Sequence, residues 1–406
     1  MLIGTNQDQG QRYNRRVVFD LVRLHGSLSR TDLARRAGLS YQSVSNMADS
    51  LILDGLLTET RKRSGRRGQP PVELSVNPEG GFSLGFSFDQ RVLRGALVDL
   101  AGNPRAEIET RLDTPHPATV LPAIAAAACE LAFAEHATAE RLLGLGLGMP
   151  GVSRQGRLIS PAPHSAHAWL RSWVEVPIVD TLQKLTGIAV FTDNDASAAA
   201  IGELLYGEGR PFTDFMYIYI SNGIGSGLIL GRRPYRGANG LAGEFGHMTV
   251  EVDGRPCPCG RTGCLESYAS LQAAWQQVNR PGDGDDPSVL VQRLAQRDPA
   301  MMQWIAEAGR MLRQAIVSVE NFLDPQVVFI GGTIPQPILD ALIEVIQPLP
   351  PRIATATASG VPRLIKAKVG LGPATLGAAA LPMFEETASD ISLLLKSPNI
   401  RVRTAS

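Results

Sequence analysis

The sequence predicts an α/β protein preceded by a small basic head, and three observations support this. Strand-like and helix-like segments alternate from about residue 73 onwards, which is typical of the α/β class. Residues 1–72 instead contain helical spacing and turn signals. They also carry 12 Lys and Arg against 6 Asp and Glu, whereas the remaining residues carry 27 against 33. A basic head on an acidic body is typical of a nucleic-acid-binding module joined to a domain with another task.

The head has the pattern of a helix-turn-helix. The segment "NRRVVFDLVRLHG" has apolar residues at near-helical spacing and ends at a glycine. After it, Ser29 is placed to cap a helix that extends to Ala37. Gly38 supplies a left-handed turn residue, and Ser40 is placed to cap a further helix that ends near Asp54. The side chains expected to form the small core are Leu33, Ala34, Leu39, Val44, Met47 and Leu51.

The last of these helices and the segment after it carry the residues expected to contact DNA. Amide side chains suit adenine in the major groove, and hydroxyls are permissive there. The stretch "LLTETRKRSGRRGQPPVELSVN" predicts a strand, a basic tip and a returning strand, which form a wing for phosphate or minor-groove contacts. A solvated basic linker is the alternative. The expected contacts are Ser40, Tyr41, Gln42, Ser43, Ser45 and Asn46 on the helix, and Arg61, Lys62, Arg63, Arg66 and Arg67 in the wing.

The body is predicted to contain two related hairpins. The segments "FSLGFSFDQRVLRGALVDLAG" and "FMYIYISNGIGSGLILG" share the order strand, turn, strand. Further buried strands are expected at "RLLGLGLGMPG", "IAVFTDNDA" and "VVFIGG", and helices at "TVLPAIAAAACELAFAE" and "ASAAAIGELLYG". Repeated hairpins indicate duplicated lobes around a cleft, with ligands at the carboxyl ends of strands.

The cysteines point to a metal in a cytoplasmic protein. The N-terminus has no apolar signal region and there is no uninterrupted apolar run of about 18 residues, so we expect reduced thiols. Residues 246–266 hold three of the four cysteines, and a strained disulfide or free thiols are the alternatives to a metal. His247, Cys257, Cys259 and Cys264 supply the Cys3His set that suits a closed, structural zinc site. Cys129 lies in an alanine-rich helix and is expected to be buried.

Three motifs in the body resemble a known family. They are "FTDNDASAAAIGE", "GLAGEFGHMTV" and "CPCGRTGCLE", and they are similar to those of the ROK family of sugar kinases and sugar-responsive repressors. The resemblance runs from about residue 82 to 385 and implies a two-lobed, actin-like, hexokinase-type fold. The head resembles the winged helix-turn-helix that the repressors of this family carry and its kinases lack. The expected domains are the winged head at 1–72, a first lobe at 73–195 with a C-terminal helix at about 386–406, and a second lobe with the zinc knuckle at 196–385.

The first hairpin turn separates a kinase from a repressor. The kinases of the family have Asp-x-Gly-Gly-Thr there, because glycine lets backbone N–H groups approach phosphates closely. The corresponding positions of this chain are Ser87, Phe88, Asp89, Gln90 and Arg91, so a nucleotide is expected to be excluded. Gly223, Gly225 and Gly227 in the second turn, and Gly331 and Gly332 in "FIGGT", are interpreted as structural. The resemblance therefore implies a protein that is not an enzyme.

The resemblance also implies a sugar site. Asn194 and Asp195 match positions that bind sugar hydroxyls, and Glu244, His247 and Glu266 match further sugar contacts beside the zinc ligands. A surface charge or a helix cap is the alternative for Asn194, Asp195 and Glu244. Relatives often have asparagine after Ala-Pro in another loop, where this chain has His164. The loop continues differently through His167 and Trp169, and this departure leaves the identity of the sugar open.

These features together predict a sugar-responsive DNA-binding regulator, most simply a repressor of carbohydrate genes. Its expected partners are operator DNA and a sugar, bound by a homodimer or homotetramer. A bifunctional sugar kinase with a DNA-binding head is one alternative. Another is a repressor controlled by a protein such as a sugar-transport component, which would dock on the C-terminal segment "ISLLLKSPNIRVR".

Overall fold

The chain folds into two compact units. A computed structural model describes residues 7–61, 72–135, 137–138, 140–151, 153–154, 157–158, 168–278, 286–353, 360–367 and 372–387. One unit contains Met1–Phe82, Asp99–Asn103 and Met383–Ser406, and the other contains Ser83–Val98 and Pro104–Pro382. The predicted lobe boundaries remain predictions. The segment "ISLLLKSPNIRVR" lies outside the described residues. So does the C-terminal helix expected at about 386–406, apart from its first two residues.

The head contains three helices and a small antiparallel sheet. The helices are α1 (Gln7–His25), α2 (Arg30–Ala37) and α3 (Tyr41–Leu53), and the strands are β1 (Ser27–Ser29), β2 (Leu57–Arg61) and β3 (Val72–Val76). The strand order is β1-β3-β2, so the two predicted wing strands pair directly with each other. The short strand β1 was not predicted, because "SLS" is too short to show an alternating pattern.

The predicted caps of the head are confirmed. The Ser29 hydroxyl accepts a hydrogen bond from the backbone N–H of Asp32 at 3.1 Å, and the Ser40 hydroxyl accepts one from that of Ser43 at 3.2 Å. Gly38 ends α2 with φ of 67°, a left-handed conformation that favours glycine. Buried side chains hold the three helices and the sheet together: Val18, Phe19, Val22, Leu28, Leu33, Val44, Ala48, Leu51, Leu57 and Leu74.

The other unit contains two five-stranded sheets. The first half of the chain in this unit supplies β4 (Phe82–Phe88), β5 (Val92–Asp99), β6 (Pro104–Arg111), α4 (Pro117–Ala134), β7 (Leu142–Met149), the two-residue strands β8 (Ser153–Arg154) and β9 (Arg157–Leu158), α5 (Ile178–Thr186) and β10 (Val190–Asn194). The strands that form the first sheet have the order β10-β7-β4-β5-β6, and β8 pairs only with β9.

The second sheet is built from the remainder of the chain. Its elements are α6 (Asp195–Leu205), β11 (Phe215–Ile220), β12 (Ile224–Leu230), β13 (Arg233–Pro234), α7 (Glu266–Ala269), α8 (Leu271–Val278), α9 (Pro287–Ala295), α10 (Pro299–Leu323), β14 (Val327–Gly332), α11 (Gln336–Ile346), β15 (Leu364–Lys366) and α12 (Pro373–Thr387). The strand order is β13-β12-β11-β14-β15. Both sheets therefore place their first strand in the middle, with the second and third strands on one side and the fourth and fifth on the other. This repeated order confirms the duplication that the two hairpins predicted.

The helix α4 corrects one prediction. Cys129 is exposed, because the buried stripe of α4 runs through Val120, Ile124 and Leu131 and leaves the cysteine outside it. Alanines conceal this stripe in the sequence. By length and composition alone, α4 is also the one helix among the described residues that is long and apolar enough to span a membrane.

Candidate functional site

Four side chains converge on a knuckle between β13 and α7. His247 ends a short 3-10 turn, and the three cysteines follow in the next loop. The ligand atoms of all four side chains lie within 4.8 Å of one another. Nδ1 of His247 lies 3.7 Å from Sγ of Cys257, and Sγ of Cys259 lies 3.7 Å from Sγ of Cys264. The structure therefore brings the predicted metal ligands together.

The backbone of the knuckle explains its glycines. Gly260 and Gly263 have φ of 91° and 73°, so both need the left-handed region that glycine enters without strain. A Cβ on Gly263 would lie 1.7 Å from the carbonyl oxygen of Glu251, so no other residue fits there. The chain can therefore turn tightly enough to present its cysteines to one point.

The separations fit a tetrahedral metal ion. A zinc–sulfur bond of about 2.3 Å places two sulfurs of a tetrahedron about 3.8 Å apart, close to the 3.7 Å between Cys259 and Cys264. A disulfide would need about 2.05 Å between the same atoms, and all the cysteines are free. Four protein ligands would leave no open position on the ion, so the site suits a structural metal.

The histidine joins the knuckle to a carboxylate. Its Nδ1 faces the thiols, and its Nε2 lies 3.7 Å from Oε2 of Glu244. Partial burial raises the pKa of Glu244, the neighbouring His247 lowers it, and the Glu266 carboxylate raises it again. These three predicted sugar contacts therefore lie within electrostatic range of one another, beside the metal ligands.

Glu266 ties the knuckle to the second hairpin. It is the first residue of α7, and its Oε2 accepts a hydrogen bond from the backbone N–H of Ile224 at 2.9 Å. Ile224 begins β12, so one carboxylate oxygen of Glu266 positions the hairpin while the side chain stays half-buried at the knuckle.

Asn194 and Asp195 form the turn from β10 into α6. The Asn194 side-chain oxygen accepts hydrogen bonds from the backbone N–H groups of Ala196 and Ser197 at 2.9 and 3.3 Å, and its amide donates to the carbonyl of Gly151 at 3.0 Å. Asn194 therefore caps the helix and holds a neighbouring loop. Burial raises the pKa of Asp195 from 3.8 to about 6, and Glu244 adds a smaller repulsion in the same direction.

Asp195 lines a cleft that has both polar and apolar side chains. Arg236 fixes the turn from behind through an ion pair of 2.5 Å with the buried Asp193. No sequence pattern indicates this pairing, because Arg236 lies in a loop about 40 residues further along the chain. The cleft is lined by Ser87, Phe88, Asp89, Gln90, Arg94, Gly148, Pro150, Trp169, Asp195, Tyr219, Ser221, Asn222, Thr333 and Ala374.

The first hairpin turn is closed by its own aspartate. Oδ1 of Asp89 accepts hydrogen bonds from the backbone N–H groups of Arg91 and Val92 at 2.8 and 2.9 Å. Its Oδ2 lies 3.4 Å from Nη1 of Arg94, which also binds Glu109 through Nε at 3.0 Å. The N–H groups and the cation that a phosphate would use at this turn are therefore already bound to carboxylates.

Three of the glycines that were interpreted as structural have packing roles. A Cβ on Gly227 would lie 2.5 Å from Ala200 Cβ, where α6 crosses β12. A Cβ on Gly331 would lie 2.4 Å from the Tyr217 hydroxyl, and one on Gly332 would lie 2.1 Å from the Ile220 carbonyl. Close packing accounts for these glycines without a nucleotide.

The predicted DNA contacts on α3 and at the end of β2 fall within the described part of the head. Tyr41, Gln42 and Asn46 are exposed on α3, and Nε2 of Gln42 donates to Oδ1 of Asn46 at 2.9 Å. Ser40 and Ser43 share the helix cap, and Ser45 is half-exposed. Arg61 ends β2, whereas the tip with Lys62, Arg63, Arg66 and Arg67 lies outside the described residues, as do His164 and His167 of the body.

The fold and the site define a class of proteins. They combine a winged helix-turn-helix with an actin-like domain that has a Cys3His cluster beside a carboxylate-lined cleft. The chain belongs to the ROK family, which its residues 91–383 match.

Relatives resemble different extents of the chain. A putative xylose repressor of Caldicellulosiruptor sp. (strain Rt8B.4) is 28% identical over 338 residues, which cover 79% of this chain and 83% of that protein. The crystal structure of a ROK family transcriptional regulator, a homologue of the E. coli MLC protein, has a TM-score of 0.73 and 26% identity over 94% of this chain and 98% of its own. A ROK hexokinase from Thermus thermophilus has a TM-score of 0.59 and 27% identity over 75% of this chain and 98% of its own.

Proposed function

We propose that this protein is a cytoplasmic, sugar-responsive transcriptional repressor of carbohydrate genes. The observation that carries the proposal is the first hairpin turn, where Asp89 binds the backbone N–H groups, in a chain that also has a winged helix-turn-helix and a cleft lined by Asp195. The relatives support this, because the regulator structure covers 94% of the chain whereas the hexokinase structure covers 75%.

The head is proposed to bind operator DNA through α3 and the wing. Gln42 and Asn46 form an exposed amide pair, and amides pair well with adenine in the major groove. A homodimer would present two heads to the two halves of a palindromic operator. A homotetramer would place a second pair of heads for a further site.

The cleft is proposed to bind a neutral sugar. Asp195, Glu244 and Glu266 supply carboxylate oxygens that accept hydrogen bonds from sugar hydroxyls, and Asn194 and Nε2 of His247 complete the set. D-Xylose is the first sugar to test, because relatives are named xylose repressors.

A structural zinc ion is proposed at the knuckle. His247, Cys257, Cys259 and Cys264 would hold it, and its role would be to fix the positions of Glu244 and Glu266 beside the cleft. The ion would therefore support sugar binding through the protein rather than touch the sugar.

We also propose that the protein has no sugar kinase activity. Ser87 replaces the carboxylate expected at the start of the turn, and its hydroxyl lies 2.6 Å from that of Thr375. The backbone N–H groups of the turn already donate to Asp89, so they are not available to hold a triphosphate. Purified protein incubated with ATP, magnesium and a panel of sugars should form no sugar phosphate; any turnover would contradict this.

Sugar binding is proposed to weaken operator binding. A ligand shifts the protein only by its difference in affinity for the two states, and a 10- to 100-fold change corresponds to about 1.4 to 2.7 kcal/mol. A modest rearrangement of the cleft is therefore sufficient.

The test is a titration onto DNA from the neighbourhood of the gene, repeated with sugars. We expect tight binding that one sugar weakens 10- to 100-fold. The double variant Gln42→Ala, Asn46→Ala should lose operator binding and keep sugar binding, because its changes lie only on α3. Operator binding that every sugar leaves unchanged, but that a sugar-transport protein relieves, would instead support control by a protein partner.

A further inference from the structure

Tyr219 stands on the cleft side of the second sheet. Side chains alternate along β11, and Met216, Ile218 and Ile220 enter the hydrophobic core on one face. Tyr217 and Tyr219 therefore share the opposite face, with ring centroids 6.4 Å apart. Tyr219 lines the cleft that contains Asp195, whereas Tyr217 is fully buried.

Glycines flank Tyr219 on both neighbouring strands. Its partner on β12 is Gly225 and its partner on β14 is Gly331, so neither strand places a side chain beside the ring. Directly opposed side chains would otherwise lie about 5 Å from it. Among the described residues of β11, Tyr219 is therefore the side chain that lines the cleft, and Ser221, Asn222 and Thr333 line it from the turns that follow β11 and β14.

The Tyr219 hydroxyl is available to a ligand. The residue is only 3% exposed, and no hydrogen bond joins its hydroxyl to the residues that the structure describes. The hydroxyl of Tyr217 on the same face is also without a partner there, but it is fully buried and does not line the cleft. Burial and then the Asp195 carboxylate raise the pKa of Tyr219 well above 10, so the hydroxyl keeps its proton and can donate. Arg94 and Asp89 are the other charged groups that act on it.

We propose that Tyr219 determines ligand specificity by donating a hydrogen bond to a hydroxyl group of the sugar held at Asp195. This inference rests on the proposed sugar-binding function. A nearly buried hydroxyl without a partner favours a ligand that supplies one and rejects an analogue that lacks it. Asp89 and Arg94 of the first hairpin line the same cleft and act electrostatically on Tyr219. Tyr219 therefore selects a sugar with a hydroxyl at one particular carbon.

The test compares two tyrosines on one face of one strand. Isothermal titration calorimetry measures the affinity of the full-length protein for aldopentoses, aldohexoses and their singly deoxygenated analogues. We expect Tyr219→Phe to bind the preferred sugar about 5- to 10-fold more weakly. The analogue that lacks the recognised hydroxyl should bind the unmodified protein and the variant equally. Tyr217→Phe is the matched control and should bind every sugar as the unmodified protein does.

Each outcome decides the matter. Loss confined to sugars with one particular hydroxyl supports the inference. Unchanged affinity in Tyr219→Phe, or an equal loss for every analogue in a variant with a lowered melting temperature, would overturn it and leave the proposed function standing. If the unmodified protein binds no aldopentose or aldohexose, the proposed function fails, and this inference fails with it.

Discussion

The two ends of the cleft differ in how their carboxylates are engaged. At one end, Asp195 lines the cleft, and Glu244, which lies beside His247 of the knuckle, acts on it electrostatically. Burial raises the pKa of both carboxyl groups. At the other end, the Asp89 carboxylate is fully used by backbone N–H groups and by Arg94. The Asp89 carboxylate is therefore engaged by groups of its own hairpin, whereas the Asp195 end is the one that we propose receives the ligand.

On the proposed function, this difference explains how a kinase-like fold can serve as a sugar sensor. Binding a sugar requires hydrogen-bond acceptors held in place, which a rigid knuckle and a capped helix supply. Transferring a phosphoryl group requires free donors and cations at a second position. On the proposed function, occupying those donors with the Asp89 carboxylate would remove phosphoryl transfer and leave sugar binding intact.

The largest effect should come from removing metal ligands from the knuckle, which is proposed to support the sugar-binding end of the cleft. Cys257→Ser, Cys259→Ser removes two thiolates, and structural zinc contributes strongly to folding. We expect metal content to fall from about one zinc per chain to near zero, and the free energy of unfolding to fall by more than about 3 kcal/mol.

The control for the metal prediction is Cys129→Ser, which changes an exposed thiol on α4. Metal content is measured by mass spectrometry and stability by denaturant titration. A double variant that folds, responds to sugar and has unchanged stability would contradict the proposal that a metal-bound knuckle supports the sugar site.

The next largest effect should separate the two ends directly. Asp195→Asn keeps the shape of the side chain and removes its charge. Hydrogen bonds to charged groups contribute about 2 kcal/mol or more, so sugar affinity should fall about 30- to 100-fold. The variant should be at least as stable as the parent, because a pKa raised by burial means that the ionised carboxylate is disfavoured in the folded state.

The matched change is Asp89→Asn at the other end, which should leave sugar affinity unchanged. Calorimetry on both variants checks the pair. Equal losses in both would mean that the two ends act as a single site.

The local parts of this arrangement were predictable from the sequence. The caps at Ser29 and Ser40 and the turn at Gly38 depend on a few neighbouring residues, and each was found as expected. The metal cluster was predictable because its cysteines are close in sequence, and only His247 comes from outside their loop.

Features that depend on distant contacts were not predictable. The exposure of Tyr219 to the cleft depends on its register with Gly225 and Gly331, which come from other strands. The sequence showed that Asp89 adds a negative charge, but not that it bonds the turn N–H groups. Cys129 was placed wrongly because a run of alanines shows no buried stripe.

A smaller effect should sharpen the description of the closed end. Asp89→Ala removes the acceptor of two backbone N–H groups and leaves Arg94 with its ion pair to Glu109 on β6. The loss resembles that of a helix cap, so we expect destabilisation of about 1 to 2 kcal/mol. Thermal melting measures this, with Glu107→Ala on the neighbouring strand as the control. Sugar affinity should stay the same, and a large loss of it would show that the turn shapes the sugar site.

The smallest predicted effect is a pH dependence with a defined sign, first of the stability of the fold and then of sugar binding. Burial raises the pKa of Asp195 from 3.8 to about 6, so the folded state holds a proton on this group that the unfolded chain releases near pH 4. The stabilising contribution of this proton is fully present below about pH 4 and is lost as the pH rises through about 6.

Sugar binding should depend on pH in the opposite direction, because sugar hydroxyls donate to the ionised carboxylate. With a pKa of about 6, the ionised fraction makes affinity about fourfold weaker at pH 5.5 than at pH 7.5. Glu244, whose pKa is also raised, adds to the dependence in the same sense, and the protonated Tyr219 adds nothing. Calorimetry at the two pH values checks this, with zinc content confirmed at both. Asp195→Asn should flatten most of the difference, whereas a dependence that survives in that variant would place the titrating group elsewhere, at Glu244 first.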